Sequence, residues 1–192
     1  MREILFFSNN KNKVTEVSQL FLLSTFKILS LKNFKKIVSP VESGDTFEEN
    51  AKIKSIYGLE KFNLMCFADD SGICIDALNG KPGVNSKNYL EKNNNQSACL
   101  EKIIEKSKNQ NVFSAFFQTT ISLSVKKGQQ VFFTGKINGN ISKKIKGSFG
   151  FGYDPIFIPE GYNKTFAEMG SGEKNKISHR AIAIKKLLDY LA

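Results

Sequence analysis

The chain lacks long apolar runs and has few cysteines. No apolar run reaches the roughly 18 residues that a transmembrane helix needs, and the stretch Ile4–Phe7 is too short for a signal peptide. Cys66, Cys74 and Cys99 are odd in number and share no C-x-x-C spacing. We therefore expect reduced, mostly buried thiols in a cytoplasmic protein that has no membrane partner.

Histidine and arginine are also scarce. The chain has one histidine, His179, and two arginines, Arg2 and Arg180, beside 26 lysines. It therefore has no arginine-rich stripe of the kind that favours nucleic-acid binding. His179 and Arg180 are neighbours, and both offer planar donors suited to a phosphate, a carboxylate or a purine carbonyl. For this pair alone, a recognition element and mere composition explain the pattern equally well.

The positive charge is large but diffuse. The formal net charge is +10, and the lysines that carry it are spread along the whole chain. Such a charge suits either nucleic acid or a small polyanion such as a nucleoside triphosphate. Because the lysines do not cluster, a lysine-rich composition with one local phosphate site is favoured over a specific nucleic-acid partner.

The pattern of apolar residues predicts one mixed α/β domain over residues 1–192. Residues 3–8 are expected to form a buried strand that leads through a polar loop into a helix. Further elements are expected as a short strand near residues 27–31, a helix from Thr46 to about residue 61, a hairpin turning at residues 126–129, and a last helix after Ser178.

The first polar loop, Ser8–Lys13, has the features of a phosphate-binding segment. It connects a strand to a helix N-terminus, where backbone N–H groups and the helix dipole attract anions. Lys11 and Lys13 add positive charge. The G-x-x-x-x-G-K-[ST] pattern is absent, so a solvated, lysine-bearing loop is the alternative.

Asp69-Asp70-Ser71-Gly72 stands between two apolar runs, which predicts a strand, a tight connection and a second strand. Because successive strand residues point to opposite faces, only one aspartate can face a given site. A carboxylate at a strand end can bind Mg²⁺ or orient a hydrolytic water, and Ser71 can donate to a phosphate oxygen. A plain turn is the alternative. Glu42 is the expected second carboxylate, with Glu48 and Glu49 as rivals.

Gly150–Pro155 combines a flexible backbone with two rings and an acid. Such a loop lets a ring stack on a base while the backbone contacts the base edge. An aromatic turn packed on the core is the alternative.

Ser178 is a suitable N-cap, which would place His179 and Arg180 in the first turn of the last helix. There the helix dipole and the side-chain donors act together toward an electronegative ligand. A surface pair or an intrahelical salt bridge is the alternative.

Five motifs follow one another over nearly the whole chain. They are [ST]-x-N-x-x-K-x-x-E from Ser8 to Glu16, E-x-G-x-T-F-x-E-N-A from Glu42 to Ala51, A-D-D-S-G with V/I-D-A-L-x-G-x-P-G-V from Ala68 to Val84, G-F-G-Y-D-P at residues 150–155, and T-x-A-E-M…E-K-N-x-x-S-H-R from Thr165 to Arg180. With these motifs in this order, the chain resembles the inosine triphosphate pyrophosphatase family, which hydrolyses non-canonical purine nucleoside triphosphates.

The resemblance implies an α/β fold with a long mixed central sheet flanked by helices, and two lobes with an active-site cleft between them. It also implies a Mg²⁺-dependent homodimer that converts ITP, dITP and XTP to the nucleoside monophosphate and pyrophosphate. Asp70 would be the general base and a metal ligand, and Glu42 would help to bind the metal. The implied substrate-binding residues are Ser8, Asn9, Asn10, Lys11, Asn12, Lys13, Ser71, Phe151, Gly152, Tyr153, Asp154, Lys174, His179 and Arg180.

The base would be selected by its 6-substituent. Inosine and xanthine present a 6-carbonyl to which His179 and Arg180 can donate, whereas adenine presents an amino group that would leave these donors unpaired. Guanine also has a 6-carbonyl, so its rejection must involve the 2-position. Asn88 and Lys146 stand where the family usually has arginine. A nucleic-acid-binding module and a pyrophosphatase for other modified nucleotides are the alternatives.

Overall fold

Strands and helices alternate in the first part of the chain, and a long hairpin occupies its middle. The structure, a computed structural model, describes residues 2–35, 37–92 and 95–192. The elements in chain order are β1 (Arg2–Phe6), α1 (Lys11–Leu20), β2 (Phe26–Ser30), α2 (Phe47–Phe62), β3 (Cys66–Ile75), α3 (Ser86–Glu91), α4 (Gln96–Gln110), β4 (Ser114–Lys126), β5 (Gln129–Ile141), β6 (Phe157–Pro159), α5 (Ser171–Ile177) and α6 (His179–Leu191).

The six strands form a mixed sheet in the order β2-β1-β3-β4-β5-β6. Strand β1 runs parallel to β2 and β3, whereas β5 and β6 are antiparallel. Helices α1 and α2 lie in the connections between the parallel strands, as such crossovers require. The predicted α/β class with a mixed central sheet is confirmed. In the three described ranges, no helix is long and apolar enough to cross a membrane.

The chain divides into two compact units. The first unit consists of Met1–Asp70, Thr119–Gly135 and Arg180–Ala192, and the second consists of Ser71–Gln118 and Lys136–His179. This division agrees with the two lobes that the resemblance implies. The single domain over residues 1–192 and the cleft stay predictions.

In the first unit, strand β1 is buried on both faces because its side chains alternate between two apolar clusters. Ile4 and Phe6 belong to a cluster with residues of α1 and α6, among them Val17 and Ile184. Leu5 packs in the other cluster, which includes aromatic residues of α2. Helices therefore cover both faces of this strand.

The core of the second unit is one cluster. It joins the end of β3 to helix α4 through Ile73 and Ile103, and it includes Phe117, Phe157 and Phe166. The ring centroids of Phe117 and Phe157 are 4.7 Å apart in an edge-to-face contact, an arrangement that adds to the stabilisation from burial.

Strand β3 differs from the sequence-based expectation. The predicted tight connection at Asp69–Gly72 is wrong, since one strand runs from Cys66 to Ile75. Both aspartates are buried, at 2% and 7% exposure, and cations from other elements offset the cost of burying them. Gly72 lies within this strand, and close packing requires glycine there, since a Cβ would lie 2.1 Å from the carbonyl oxygen of Gly83. The other predicted elements lie where expected.

Replacing Phe67 tests how much the core of the first unit contributes to stability. Its ring stacks on those of Phe6 and Phe21, with centroid distances of 4.9 and 5.5 Å. Phe67→Ala should lower the free energy of unfolding by about 3–5 kcal/mol, because it leaves a cavity between two rings. Urea unfolding followed by circular dichroism measures this. The control Leu23→Ala removes a fully exposed side chain and should change the free energy of unfolding by about 0.5 kcal/mol or less. Equal losses of stability in the two variants would contradict the prediction.

Candidate active site

Asp69 and Asp70 are adjacent in β3 but bind different cations, as residues on opposite faces of a strand should. Oδ2 of Asp69 lies 3.0 Å from the ammonium of Lys13 and accepts from Nε of Arg180 at 3.3 Å. Oδ1 of Asp70 lies 3.2 Å from the ammonium of Lys54. The first unit therefore has two charge clusters, one around each aspartate.

The Asp70 cluster consists of Glu42, Lys54 and Asp70. The Lys54 ammonium donates to Oε2 of Glu42 at 2.6 Å and to Asp70. Lys54 reaches both carboxylates because it lies on the buried face of α2, together with the small or polar residues Asn50, Ala51, Ser55 and Gly58. Glu42, by contrast, comes from an irregular loop, and its side chain is 44% exposed.

Burial and neighbouring charges shift the pKa values of Asp70 and Lys54. Desolvation raises the pKa of the Asp70 carboxyl above its usual range, although Lys54 and Lys13 oppose the rise. Desolvation lowers the pKa of Lys54, but the attraction of Asp70, Glu42 and Asp69 outweighs it and the net pKa is raised. Lys54 thus stays a cation, while Asp70 accepts a proton more readily than an ordinary aspartate does.

The Asp70 cluster has the chemistry that Mg²⁺ requires. Oδ2 of Asp70 is buried and has no hydrogen-bond partner among the described residues, an arrangement that is costly unless a ligand binds there. Mg²⁺ usually takes one or two carboxylates together with water and substrate phosphates. Asp70 and Glu42 are the two carboxylates of this cluster that would hold the ion.

The Asp69 cluster consists of Lys13, Glu16, Asp69 and Arg180. The Arg180 guanidinium is buried and also donates to Glu16. Its pKa is raised because Glu16 and Asp69 together outweigh the effect of burial. Burial lowers the pKa of the Lys13 ammonium, and the opposing attraction of Asp69 is smaller. Lys13 lies in the first turn of α1, at the segment predicted to bind phosphate.

That segment is shaped by the N-cap of α1. The side chain of Asn10 accepts from the backbone N–H groups of Asn12 and Lys13 at 3.0 and 3.2 Å. Ser8 Oγ accepts from the N–H of Asn10 at 3.3 Å. Asn10 thus uses two of the N–H groups that a helix N-terminus offers to an anion.

The remaining residues of this segment are more open. Lys11 and Asn12 are exposed at the start of α1. Asn9 is also exposed, and its amide donates to Ser39 Oγ at 2.6 Å.

In the second unit, Asp154 organises the glycine loop Gly147–Asp154. Its Oδ2 accepts from the Lys174 ammonium at 2.6 Å and from the N–H of Phe151 at 2.8 Å. Lys174 lies over the ring of Phe151, 5.0 Å from its centroid. Gly150 has a φ of +75°, and a Cβ there would lie 2.0 Å from Oδ2 of Asp154. The loop therefore requires glycine at this position.

Two further contacts hold the same loop. The hydroxyl of Tyr153 donates to the carbonyl of Ser86 at 2.8 Å, and the side chain of Gln96 donates to the carbonyl of Gly152 at 2.8 Å. Tyr153 is buried, whereas Phe151 and Gly152 are half-buried, and so is Ser71 in β3.

His179 and Arg180, adjacent in sequence, have different surroundings. The ring of His179 stacks on Phe117 in the second unit, with centroids 4.6 Å apart and planes 7° from parallel. Arg180 contacts Glu16 and Asp69 in the first unit. Both side chains are buried. Their joint role as donors to a purine carbonyl stays a prediction.

The sequence motifs assign no individual role to Lys54, Asp69 or Glu16. A signal for Lys54 exists, because it falls at helical spacing among the inward residues of α2. A lysine at such a position is expected to be buried beside an acid. Glu16 and Asp69 fall within the sequence motifs, but their pairing with Arg180 has no local signal because Arg180 is distant in sequence.

The fold and these clusters define an α/β protein with a buried, cation-held carboxylate site. The sequence model of the Ham1 family matches residues 4–190. The dITP/XTP pyrophosphatase of Flavobacterium johnsoniae is 42% identical over 189 residues, covering 98% of this chain and 97% of that protein. The dITP/XTP pyrophosphatase of Porphyromonas gingivalis is 40% identical and covers 100% of this chain and 98% of its own. The chain belongs to the Ham1 family, and the resemblance found in the sequence is confirmed.

Solved structures agree with this assignment. The Staphylococcus aureus Ham1 protein superposes with a TM-score of 0.87 at 35% identity, covering 99% of this chain and 98% of that one. A HAM1 protein from Coxiella burnetii gives a TM-score of 0.89 at 35% identity, covering 100% and 98%.

The electrostatic link between Lys54 and Asp70 can be tested directly. Lys54→Met should raise the pKa of Asp70 further, because it removes the cation that favours the charged carboxylate. Carboxyl-carbon NMR titration in Mg²⁺-free buffer measures this. The control Lys52→Met changes an exposed lysine of the same helix and should leave the pKa of Asp70 unchanged. An unchanged or lower pKa in Lys54→Met would contradict the assignment.

Proposed function

We propose that this protein is a Mg²⁺-dependent pyrophosphatase that hydrolyses ITP, dITP and XTP to the nucleoside monophosphate and pyrophosphate, and so removes non-canonical purine nucleotides from the pool. The observation that carries the proposal is Asp70, a buried carboxylate with a raised pKa and one oxygen without a partner among the described residues. The relatives named dITP/XTP pyrophosphatase, which match nearly the full chain, support it.

Asp70 is the proposed general base. A water oxygen attacks the α-phosphorus and its proton passes to the Asp70 carboxylate, while the bond between the α-phosphorus and the bridging oxygen breaks and pyrophosphate leaves. Without a bound cation, burial raises the pKa of the Asp70 carboxyl above its usual range, which favours its accepting a proton. Lys54 stays protonated and orients the carboxylates of Asp70 and Glu42. Bound Mg²⁺, held by these two carboxylates, would neutralise charge on the leaving pyrophosphate.

The first-unit loop is proposed to hold the triphosphate. Lys13 supplies a half-buried ammonium, and Lys11 supplies an exposed one. Ser8, Asn9, Asn10 and Asn12 supply polar groups at the N-terminus of α1, where the helix dipole favours anions. Ser71, next to Asp70, is proposed to donate to a phosphate oxygen.

The second-unit loop is proposed to bind the base. Phe151 presents a ring for stacking, and Gly152 and Tyr153 contribute backbone groups beside it. Asp154 and Lys174 hold the N–H of Phe151 in place. His179 and Arg180 are the proposed donors to the 6-carbonyl. A guanidinium has five N–H groups, so the ion pairs of Arg180 with Glu16 and Asp69 are compatible with a further acceptor.

We further propose that the protein acts as a homodimer in the cytoplasm. The cytoplasmic location is supported by its free cysteines, Cys66, Cys74 and Cys99, which suit a reducing compartment. Sedimentation velocity tests the dimer, and a monomer at all concentrations would refute it.

Substrate choice is tested by a panel of nucleotides. Pyrophosphate release from ITP, dITP and XTP should exceed release from ATP by about 100-fold or more in kcat/KM, because adenine would leave buried donors unpaired. GTP should also be a poor substrate, and EDTA should stop release. Equal rates on all nucleotides would refute the substrate assignment. No release together with steeply salt-dependent DNA binding would favour the nucleic-acid alternative.

The role of Asp70 is tested by Asp70→Asn. The amide cannot accept the proton, so kcat should fall by about 10²–10⁴-fold, while calorimetric ITP binding stays largely intact. The control Asp189→Asn changes an exposed residue of α6 and should leave kcat unchanged. Retained activity in Asp70→Asn would refute the assignment of the base.

A further inference from the structure

Glu42 is the most exposed member of the Asp70 cluster. It lies in an irregular loop before α2, and its side chain is 44% exposed. An exposed carboxylate on such a loop has many accessible conformations, and ordering it has an entropic cost. Some other contact must therefore hold the loop backbone beside α2.

That contact is made by Asn50. The N–H of Gly44 donates to Oδ1 of Asn50 at 2.8 Å, and Nδ2 of Asn50 donates to the carbonyl of Gly44 at 3.1 Å. One amide side chain thus binds both backbone groups of one loop residue. Asn50 is only 4% exposed, so water competes poorly for these two hydrogen bonds.

Gly44 is suited to this contact because it has no side chain. A Cβ at Gly44 would lie 2.5 Å from Cβ of Glu49 and 2.9 Å from Oδ1 of Asn50. The loop therefore approaches the first turn of α2 more closely than any other residue type would allow. Gly44 and Asn50 together form a paired unit, called here the Asn50 clamp.

The same helix face also binds the Glu42 side chain. Asn50 and Lys54 are four residues apart in α2, so they lie one above the other. Asn50 binds the backbone of Gly44, and Lys54 donates to Oε2 of Glu42 at 2.6 Å. Two points of the loop, two residues apart, are thus fixed to two points of one rigid helix.

The other contacts of this loop differ in kind. Glu49 accepts from the N–H groups of Asp45 and Thr46 at 2.8 and 3.1 Å, which belongs to the capping box at the start of α2. Asn9 donates to Ser39 on the other side of Glu42, but both side chains are exposed. Among these contacts, the Asn50 clamp is the one with a buried side chain.

We propose that Asn50 is a positioning residue for the active site: through Gly44 it holds the loop backbone so that Glu42 stands beside Lys54 and Asp70. The loss of activity expected on removing the Asn50 side chain rests on the proposed function, whereas the loosening of the loop does not. Asn50 itself contacts no reacting atom in this account, so its removal acts only through Glu42.

Deuterium exchange tests the structural part without any activity. Asn50→Ala removes the side chain that binds Gly44, and Gly44→Ala adds a methyl group that clashes with Glu49 and Asn50. Each variant should speed exchange in the segment 38–45 by about tenfold, the factor that corresponds to one lost hydrogen bond. Faster exchange confined to this segment supports the clamp. Unchanged exchange in a folded variant overturns it.

Each variant has a matched control. Asn33→Ala removes an asparagine side chain that accepts from the N–H of Ser30 in the same unit, and Gly172→Ala adds a methyl group where nothing lies within 4 Å. Neither should speed exchange at residues 38–45. If Asn50→Ala does not fold, Asn50→Asp replaces it, since it keeps the acceptor for Gly44 and replaces the donor by a carboxylate oxygen that repels the Gly44 carbonyl.

A double-mutant cycle tests whether Asn50 acts through Glu42. Asn50→Ala and Glu42→Gln should each lower kcat/KM for ITP and raise the Mg²⁺ concentration for half-maximal rate. If Asn50 works by placing Glu42, the double variant should be no worse than Glu42→Gln alone. Multiplied losses would show that Asn50 supports activity in some other way and would overturn the proposal.

The two proposals fail in distinguishable ways. If the unaltered protein releases no pyrophosphate from any nucleotide, the proposed function fails, and the exchange experiment still decides the clamp. If the unaltered protein is active but exchange at residues 38–45 is the same in Asn50→Ala and in Asn33→Ala, the clamp fails while the function stands.

Discussion

Two adjacent carboxylates are buried inside strand β3, and the first unit is arranged to compensate their charge. Burying one ion costs several kcal/mol unless a partner of opposite sign is well placed. The partners of Asp69 and Asp70 are Lys13, Lys54 and Arg180, which come from α1, α2 and α6 respectively. The cations that pair with β3 thus come from three different helices, so the stability of the unit and the assembly of its charged site depend on the same contacts.

The charges of Asp69 and Asp70 are compensated by different numbers of cations, and this difference bears on the chemistry of the site. Asp69 shares one oxygen between two cations, Lys13 and Arg180. Asp70 shares a single ammonium, that of Lys54, with Glu42, and its other oxygen has no partner among the described residues. Burial also raises the pKa of the Asp70 carboxyl, which is why the proposed chemistry centres on this residue. In the second unit the ion pair of Lys174 and Asp154 is buried, and Asp154 also accepts from the N–H of Phe151, which orders the glycine loop.

The loop before α2 shows how an exposed ligand can still be well placed. Glu42 has little packing of its own, yet α2 holds its side chain through Lys54 and the nearby backbone through Asn50. A helix is the stiffest element available for this purpose, since residues four apart keep a constant separation on one face. The rigidity of α2, rather than the local structure of the loop, sets the position of the carboxylate.

The sequence by itself determined the elements whose signals are local: the capping box that starts α2, the turn between β4 and β5, and the helix that follows Ser178, together with the motifs that show the family. It also indicated the acids and loops of the candidate site. Only the tertiary structure decided that β3 runs straight through Asp69–Gly72, because turn-forming residues stay extended when their charges are paired elsewhere. That pairing joins residues far apart, with Arg180 and Asp69 separated by 111 positions, and no local pattern records such a contact.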